Sequence, residues 1–253
     1  MQLDRRITSK TPLLVLSVCF GLVGCGGLGG SKSAAELADI HMQLGVRYMN
    51  LNKLDSAKEN LLQALQEDGG NHQTFNALGV LYERLNQPDS AGKYYEKALS
   101  LVSDDLSVLN NYGRFLCEHN EKAKGIKYLE QAVASPLNDR PWLALTNAGL
   151  CLLGLGDLIK AEAYFREALQ QSADYEPALQ AMQNLSYQKG DFWAAKGYLQ
   201  RYLAVAKHTA ETLWVAWQVE RALGNANSAG EYKRLLLEQF PLSEHAKKIN
   251  AAP

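Results

Sequence analysis

No segment of this chain carries a catalytic signature with a defined spacing. There is no HExxH pair of metal ligands, no glycine-rich phosphate loop and no GxSxG nucleophile turn. The five histidines, at positions 41, 72, 119, 208 and 245, are scattered rather than spaced as ligands, and read as solvated or capping residues. An excess of one charge is also missing: 26 basic against 27 acidic side chains leave a net charge of -1. A nucleic-acid binder would show a basic stripe, and none is present. Beyond the N-terminal region no apolar run approaches the length that a membrane helix requires. An enzyme, a metal or cofactor site, a small-molecule substrate and a nucleic-acid partner are therefore not expected, and what remains is a protein that holds another protein.

Cysteine is scarce, with four in all. The first 24 residues read as a secretory signal, with Arg5, Arg6 and Lys10 ahead of an apolar run from Pro12 to Val23. Cys19 leaves with that signal. Leu22-Val23-Gly24-Cys25 resembles the bacterial lipobox, so Cys25 is expected to become an acylated first residue anchored in a lipid bilayer by several chains. The alternative is an ordinary secretory signal with an incidental cysteine. Gly26, rather than Asp, after the cysteine favours the outer membrane by resemblance to enterobacterial lipoproteins, with the body facing the periplasm. Removal of residues 1–24 takes away three basic and one acidic side chain and moves the net charge from -1 to -3. Residues 25–37 are read as the lipidated N-terminus and a tether, whose GGLGGSKS run has the composition of a flexible linker.

From residue 38 onward the chain repeats itself every 34 residues. Leu44, Gly45, Tyr48, Ala57 and Ala64 stand at positions 7, 8, 11, 20 and 27 of 38–71, and Leu78, Gly79, Tyr82, Ala91 and Ala98 at the same positions of 72–105. In 106–139 the pattern continues through Tyr112, Gly113, Leu129 and Ala132, with Gly125 in place of the alanine at position 20. After a two-residue insertion, Arg140-Pro141, it resumes in 142–175 with Gly149, Ala161, Phe165 and Ala168. Units 176–209 and 210–243 are looser but keep the register, Gly190-Asp191 and Gly224-Asn225 marking their inter-helix turns as Gly156-Asp157 does in the fourth, while Gln183 and Trp217 at position 8 imply wider packing. Small residues at positions 8 and 20 let two helices approach, and larger apolar residues fill the space beside them. This is the tetratricopeptide pattern, and it predicts an all-α superhelical solenoid of about six helical hairpins, closed by a C-terminal cap over 244–253.

In such a solenoid the first helices line the concave face, where positions 2, 5, 9, 12 and 13 point inward. These are Asp39, Met42, Val46, Met49 and Asn50 in the first unit, Gln73, Asn76, Val80, Glu83 and Arg84 in the second, and Asn110 and Arg114 in the third. Methionine suits adaptable apolar contact, and asparagine can bond a main chain whatever its sequence. Met42, Val46, Met49, Asn76, Val80, Asn110 and Arg114 are the candidate partner-binding residues for an apolar segment. Two alternatives stand: a clamp for a C-terminal carboxylate built on Asn76, Asn110 and Arg114, or a plain apolar covering of the N-terminal end. Cys117 and Cys151 lie on the first helices of adjacent units, which pack about 8 to 10 Å apart. They are either bridged across that seam or two separate buried thiols.

Two segments, LNNYGRFLC over Leu109–Cys117 and NAGLC over Asn147–Cys151, together with the lipobox and the six repeats, resemble the lipoprotein pilotins of type IV pilus biogenesis, the PilW or PilF type. Many members of that family carry the same paired cysteines. The resemblance implies an outer-membrane lipoprotein that binds subunits of the pilus secretin, localises them and promotes their multimerisation. An outer-membrane repeat scaffold of the protease-adaptor or barrel-assembly kind would share the lipobox and the repeats but not the two cysteine segments.

Overall fold

Each repeat unit holds two amphipathic helical stripes separated by a residue suited to reversing the chain, and a computed structural model resolves them as thirteen helices among the described residues, 33–251. The expected signal, Cys25 and the GGLGGSK part of the tether lie outside those residues. The first hairpin pairs α1 (Ala34–Asn50) with α2 (Leu54–Glu67), and the second pairs α3 (His72–Arg84) with α4 (Pro88–Leu101). Then come α5 (Leu106–Glu118) with α6 (Lys122–Ala134), and α7 (Pro141–Leu153) with α8 (Leu158–Gln171). The series ends with α9 (Glu176–Gln188) and α10 (Phe192–Leu203), α11 (Ala210–Ala222) and α12 (Ala226–Gln239), and the terminal α13 (Glu244–Ala251). The architecture is a tetratricopeptide solenoid in which each first helix packs on its own second helix and on the next hairpin. Helix α1 begins at Ala34, so 34–37 form its first turn.

The six inter-helix turns share one construction. Asn52, Asn86, Asn120, Gly156, Gly190 and Gly224, all at position 15 of their units, have φ between 54° and 80°. Only glycine and, next to it, asparagine adopt that left-handed conformation at low cost. It lets the following N–H reach back to the carbonyl five residues earlier, as in Lys53 to Tyr48 (2.9 Å), Glu121 to Leu116 (2.8 Å) and Asn225 to Glu220 (2.8 Å), satisfying carbonyls that the helix end leaves open.

Position 8 sets the distance within a hairpin. A Cβ on Gly45 would stand 2.5 Å from Leu61, one on Gly79 2.6 Å from the Tyr95 ring, and one on Gly149 2.5 Å from Phe165, so the glycine is the seat of the large residue at position 24. Leu61, Tyr95, Leu129 and Phe165 are accordingly buried. In the fifth unit Gln183 is fully buried and turned toward α11, its Nε2 3.5 Å from the Thr212 carbonyl oxygen. In the sixth Trp217 belongs to an aromatic cluster with Trp214 (ring centroids 5.0 Å apart), beneath α13, which buries Ala246 and Ile249. The junction α6–α7 spans six residues, 135–140, as does α10–α11 over 204–209, where the other three hairpins are joined by four, and the Arg140-Pro141 insertion falls at its end. Asn138 pins it by donating to the Ala132 carbonyl at 2.8 Å.

Candidate functional site

A cleft of about 300 Å³ opens between the exposed faces of α1 and α3 and reaches the start of α5. Met42, Val46 and Met49 come from α1, Asn76, Ala77 and Val80 from α3, and Asp105, Ser107 and Asn111 from the α5 end. Met42, Val46 and Val80 are partly buried against the first core cluster, their outer surfaces left to the cleft. Met49 belongs to the core instead: it is only 4% exposed, so it supports the cleft floor rather than offering a contact surface. Its carbonyl accepts from Arg84 Nη1 at 2.6 Å, which ties α3 to the end of α1 beside the cleft.

Arg114 and Asn110 stand outside this cleft. The Arg114 guanidinium donates two bonds to Glu83 (2.8 and 2.9 Å) and two to Glu118 (2.8 and 2.9 Å), and Glu83 in turn accepts from the Tyr95 hydroxyl. Arg114 is thus neutralised between α3 and α5. It does not present the open cation that a carboxylate clamp requires, and its role is to brace two first helices. Burial and the Glu83 carboxylate both push the Tyr95 hydroxyl far above its ordinary pKa, keeping it a donor.

Asn110 is part of an arrangement that position-by-position reading of the concave face missed. Asn111 Nδ2 donates to Asn76 Oδ1 at 3.2 Å, Asn110 Nδ2 to Asn111 Oδ1 at 3.4 Å, and Asn147 Nδ2 to Asn110 Oδ1 at 2.9 Å. Four amides therefore run as a ladder across α3, α5 and α7. The signal in the sequence was the recurrence of asparagine at position 6 in Asn111 and Asn147, beside the position 5 residues already singled out.

The histidines are more engaged than expected. His41 lies 2.8 Å from Glu67, His72 3.1 Å from Asp105, and His245 stacks on Trp214 at 5.3 Å. His119 follows the capping expectation at the end of α5, with Nδ1 2.8 Å from the Phe115 carbonyl.

Cys117 and Cys151 are joined, with a Cα–Cα distance of 5.4 Å, and link α5 to α7. The substitution at position 20 of the third unit follows from this. A Cβ on Gly125 would stand 2.5 Å from the Gly113 carbonyl oxygen and 2.6 Å from Cys117 Sγ. Alanine, which serves in the other units, has no room where a first helix must also hold the bridge.

Models of the tetratricopeptide repeat match residues 38–71, 72–104 and 116–176. Among curated proteins none matches the sequence. Among solved structures, the chain is similar to PilW, described as a widely conserved type IV pilus biogenesis factor, with 30% identity over 85% of this chain and 99% of that one and a TM-score of 0.78. Pseudomonas aeruginosa PilF shares 25% identity over 87% of this chain and 99% of that one, with a TM-score of 0.77. A Thermus thermophilus repeat protein shares the fold alone, at 19% identity over 71% of this chain and 99% of that one and a TM-score of 0.60. With this overlap in sequence, length and backbone, the chain belongs to the tetratricopeptide-repeat proteins, in the family of the type IV pilus biogenesis proteins PilW and PilF.

Proposed function

We propose that this chain takes part in type IV pilus biogenesis as an outer-membrane lipoprotein that grips subunits of the pilus secretin and promotes their assembly into multimers. The observation that carries the reading is the apolar cleft of Met42, Val46 and Val80 on the concave face of a chain similar to PilW over 99% of the latter's length. Apolar surface left open on a rigid helical framework gains free energy when a partner covers it, about 25 cal/mol for each Å² removed from water. Acylation at Cys25 supplies the address in this reading, and the cleft supplies the grip.

The test is to delete the gene and follow the secretin by denaturing gel of separated membranes. Detergent-resistant multimers in the outer membrane should be lost and should return with the wild-type gene. Met42→Asp or Val46→Asp, each placing a charge in the cleft without entering the core, should fold normally and fail to restore them. Normal multimers and normal piliation in the deletion strain would overturn the reading and leave a general repeat scaffold as the better description.

A further inference from the structure

We infer that the groove takes its partner as an extended segment, with apolar side chains over α1 and α3 and a lysine or arginine roughly three to six residues along, over the α5 and α7 ends. This deepens the partner-binding reading of the previous subsection and rests on it.

The conformation follows from the asparagine ladder. Each side-chain amide has two N–H donors and a carbonyl oxygen with two acceptor sites. Within the ladder Asn110 and Asn111 each donate one bond and accept one, Asn147 donates one and Asn76 accepts one. Every member therefore keeps unspent capacity, and all four are partly exposed. Their mutual bonds fix the amide planes, so the remaining donors and acceptors are held in place before anything binds. A bound helix has its peptide groups bonded internally and would leave this row unused. An extended chain leaves peptide groups free along its edges, and these are what a fixed row of amides can bond without reading side chains.

The polarity of the partner follows from what lies at the two ends of that row. The apolar cleft adjoins a second, wider one of about 550 Å³, and the two share Asp105, Ser107 and Asn111. Asp104, Asp105 and Asp139 stand on the walls of the second cleft, with Arg140 as the single cation of its lining. Arg140 Nε is 3.6 Å from Asp139 Oδ1. Asp139 and Arg140 lie on the extended α6–α7 junction, so the insertion that breaks the 34-residue period also builds this wall. A groove whose first end is lined by apolar side chains, with Arg84 there tied to the Met49 carbonyl, and whose other end carries an excess of carboxylates selects a segment with the complementary order.

The experiment is selection from a random peptide library displayed on phage, using the full-length lipoprotein in detergent micelles. The wild type should enrich peptides with an apolar cluster and a lysine or arginine to one side at near-constant spacing. In Asp104→Lys/Asp139→Lys, whose side chains are exposed and cap no helix, that preference should turn to aspartate or glutamate while the apolar cluster is kept. Asn111→Ala should weaken the enriched peptides about two- to tenfold whatever their side chains, the loss of one or two hydrogen bonds. Apolar peptides without a charge preference, a preference indifferent to the reversal, or full affinity in Asn111→Ala would overturn this inference and leave the apolar grip standing. Enrichment of no peptide would overturn it as well. The wider reading fails separately, if Met42→Asp cells assemble secretin multimers normally.

Discussion

A single methyl group at Gly125 would meet a carbonyl oxygen at 2.5 Å and a bridged sulfur at 2.6 Å, neither of which can rotate away. Gly125→Ala is expected to destabilise the chain by about 1 to 3 kcal/mol, the usual cost of forcing extra volume into a packed seam. Gly197 and Gly230 are also inside helices, α10 and α12, but a Cβ there meets nothing within 4 Å. Gly197→Ala and Gly230→Ala should each stabilise by about 0.5 to 1 kcal/mol through helix propensity alone. Urea unfolding of the variants settles the matter, since equal shifts for all would mean that the seam has slack. Titration adds a second residue-level expectation. Burial, reinforced by hydroxyl bonds to Glu96 and Glu130, pushes Tyr112 and Tyr164 up to about 12, with Lys124 pulling partly the other way on Tyr112. A folded-state pKa above the unfolded value of about 10 means that the fold favours the neutral phenol. Its contribution is complete below pH 10 and is lost as pH rises toward about 12. Tyrosinate absorbance should therefore show a late-ionising fraction while the urea midpoint falls over the same window; uniform ionisation near pH 10 with a constant midpoint would contradict this.

Helices and turns were largely legible before the structure, because repetition lets each unit corroborate the next. Glycine marked the turns of the last three units, and the structure adds that Asn52, Asn86 and Asn120 do the same work in the first three, in the same left-handed conformation. The periodic small residues at position 8 were legible as a close approach, but the partner that fills the space, the residue at position 24, emerged only from the packing. Less legible was what long side chains do between helices. Arg114 reads as a concave-face cation by position, yet it can reach Glu83 on α3 and Glu118 on its own helix, and four charge-assisted bonds outweigh exposure. Met49 likewise has a concave position and a buried side chain, since a flexible thioether turns into the core when a gap is available. At this scale the bridge between α5 and α7 gives a direct prediction. Cys117→Ser/Cys151→Ser should lower stability by about 2 to 4 kcal/mol, because the unfolded chain regains the freedom of the closed loop. Reductant should produce the same loss in the wild type and none in the double variant; an unchanged unfolding curve on reduction would remove the bridge from the stability account.

Taken whole, the solenoid from α1 to α13 is a row of hairpins in which each contacts its neighbours, so stability is shared locally and an end must be covered. The covering at the C-terminal end is α13, which seals Leu213 and Leu236 with Ile249. Large apolar side chains nevertheless stay in the open along one edge of the middle hairpins, Ile159 at 83% and Trp193 at 70% exposure, both at position 18 of their units. The concave groove and this edge are separate features, since neither Ile159 nor Trp193 lines the two adjoining clefts. The bridge has a mechanical meaning at this scale as well. It closes a loop between residues 34 apart in the middle of the row. If the chain is drawn out from its ends, the segment between the two sulfurs cannot lengthen even after every hairpin has opened. At about 3.3 to 3.6 Å for each extended residue, the oxidised chain should stop roughly 110 to 120 Å short of the reduced one in a single-molecule pulling experiment, so the bridge sets a limit to extension as well as a contribution to folding.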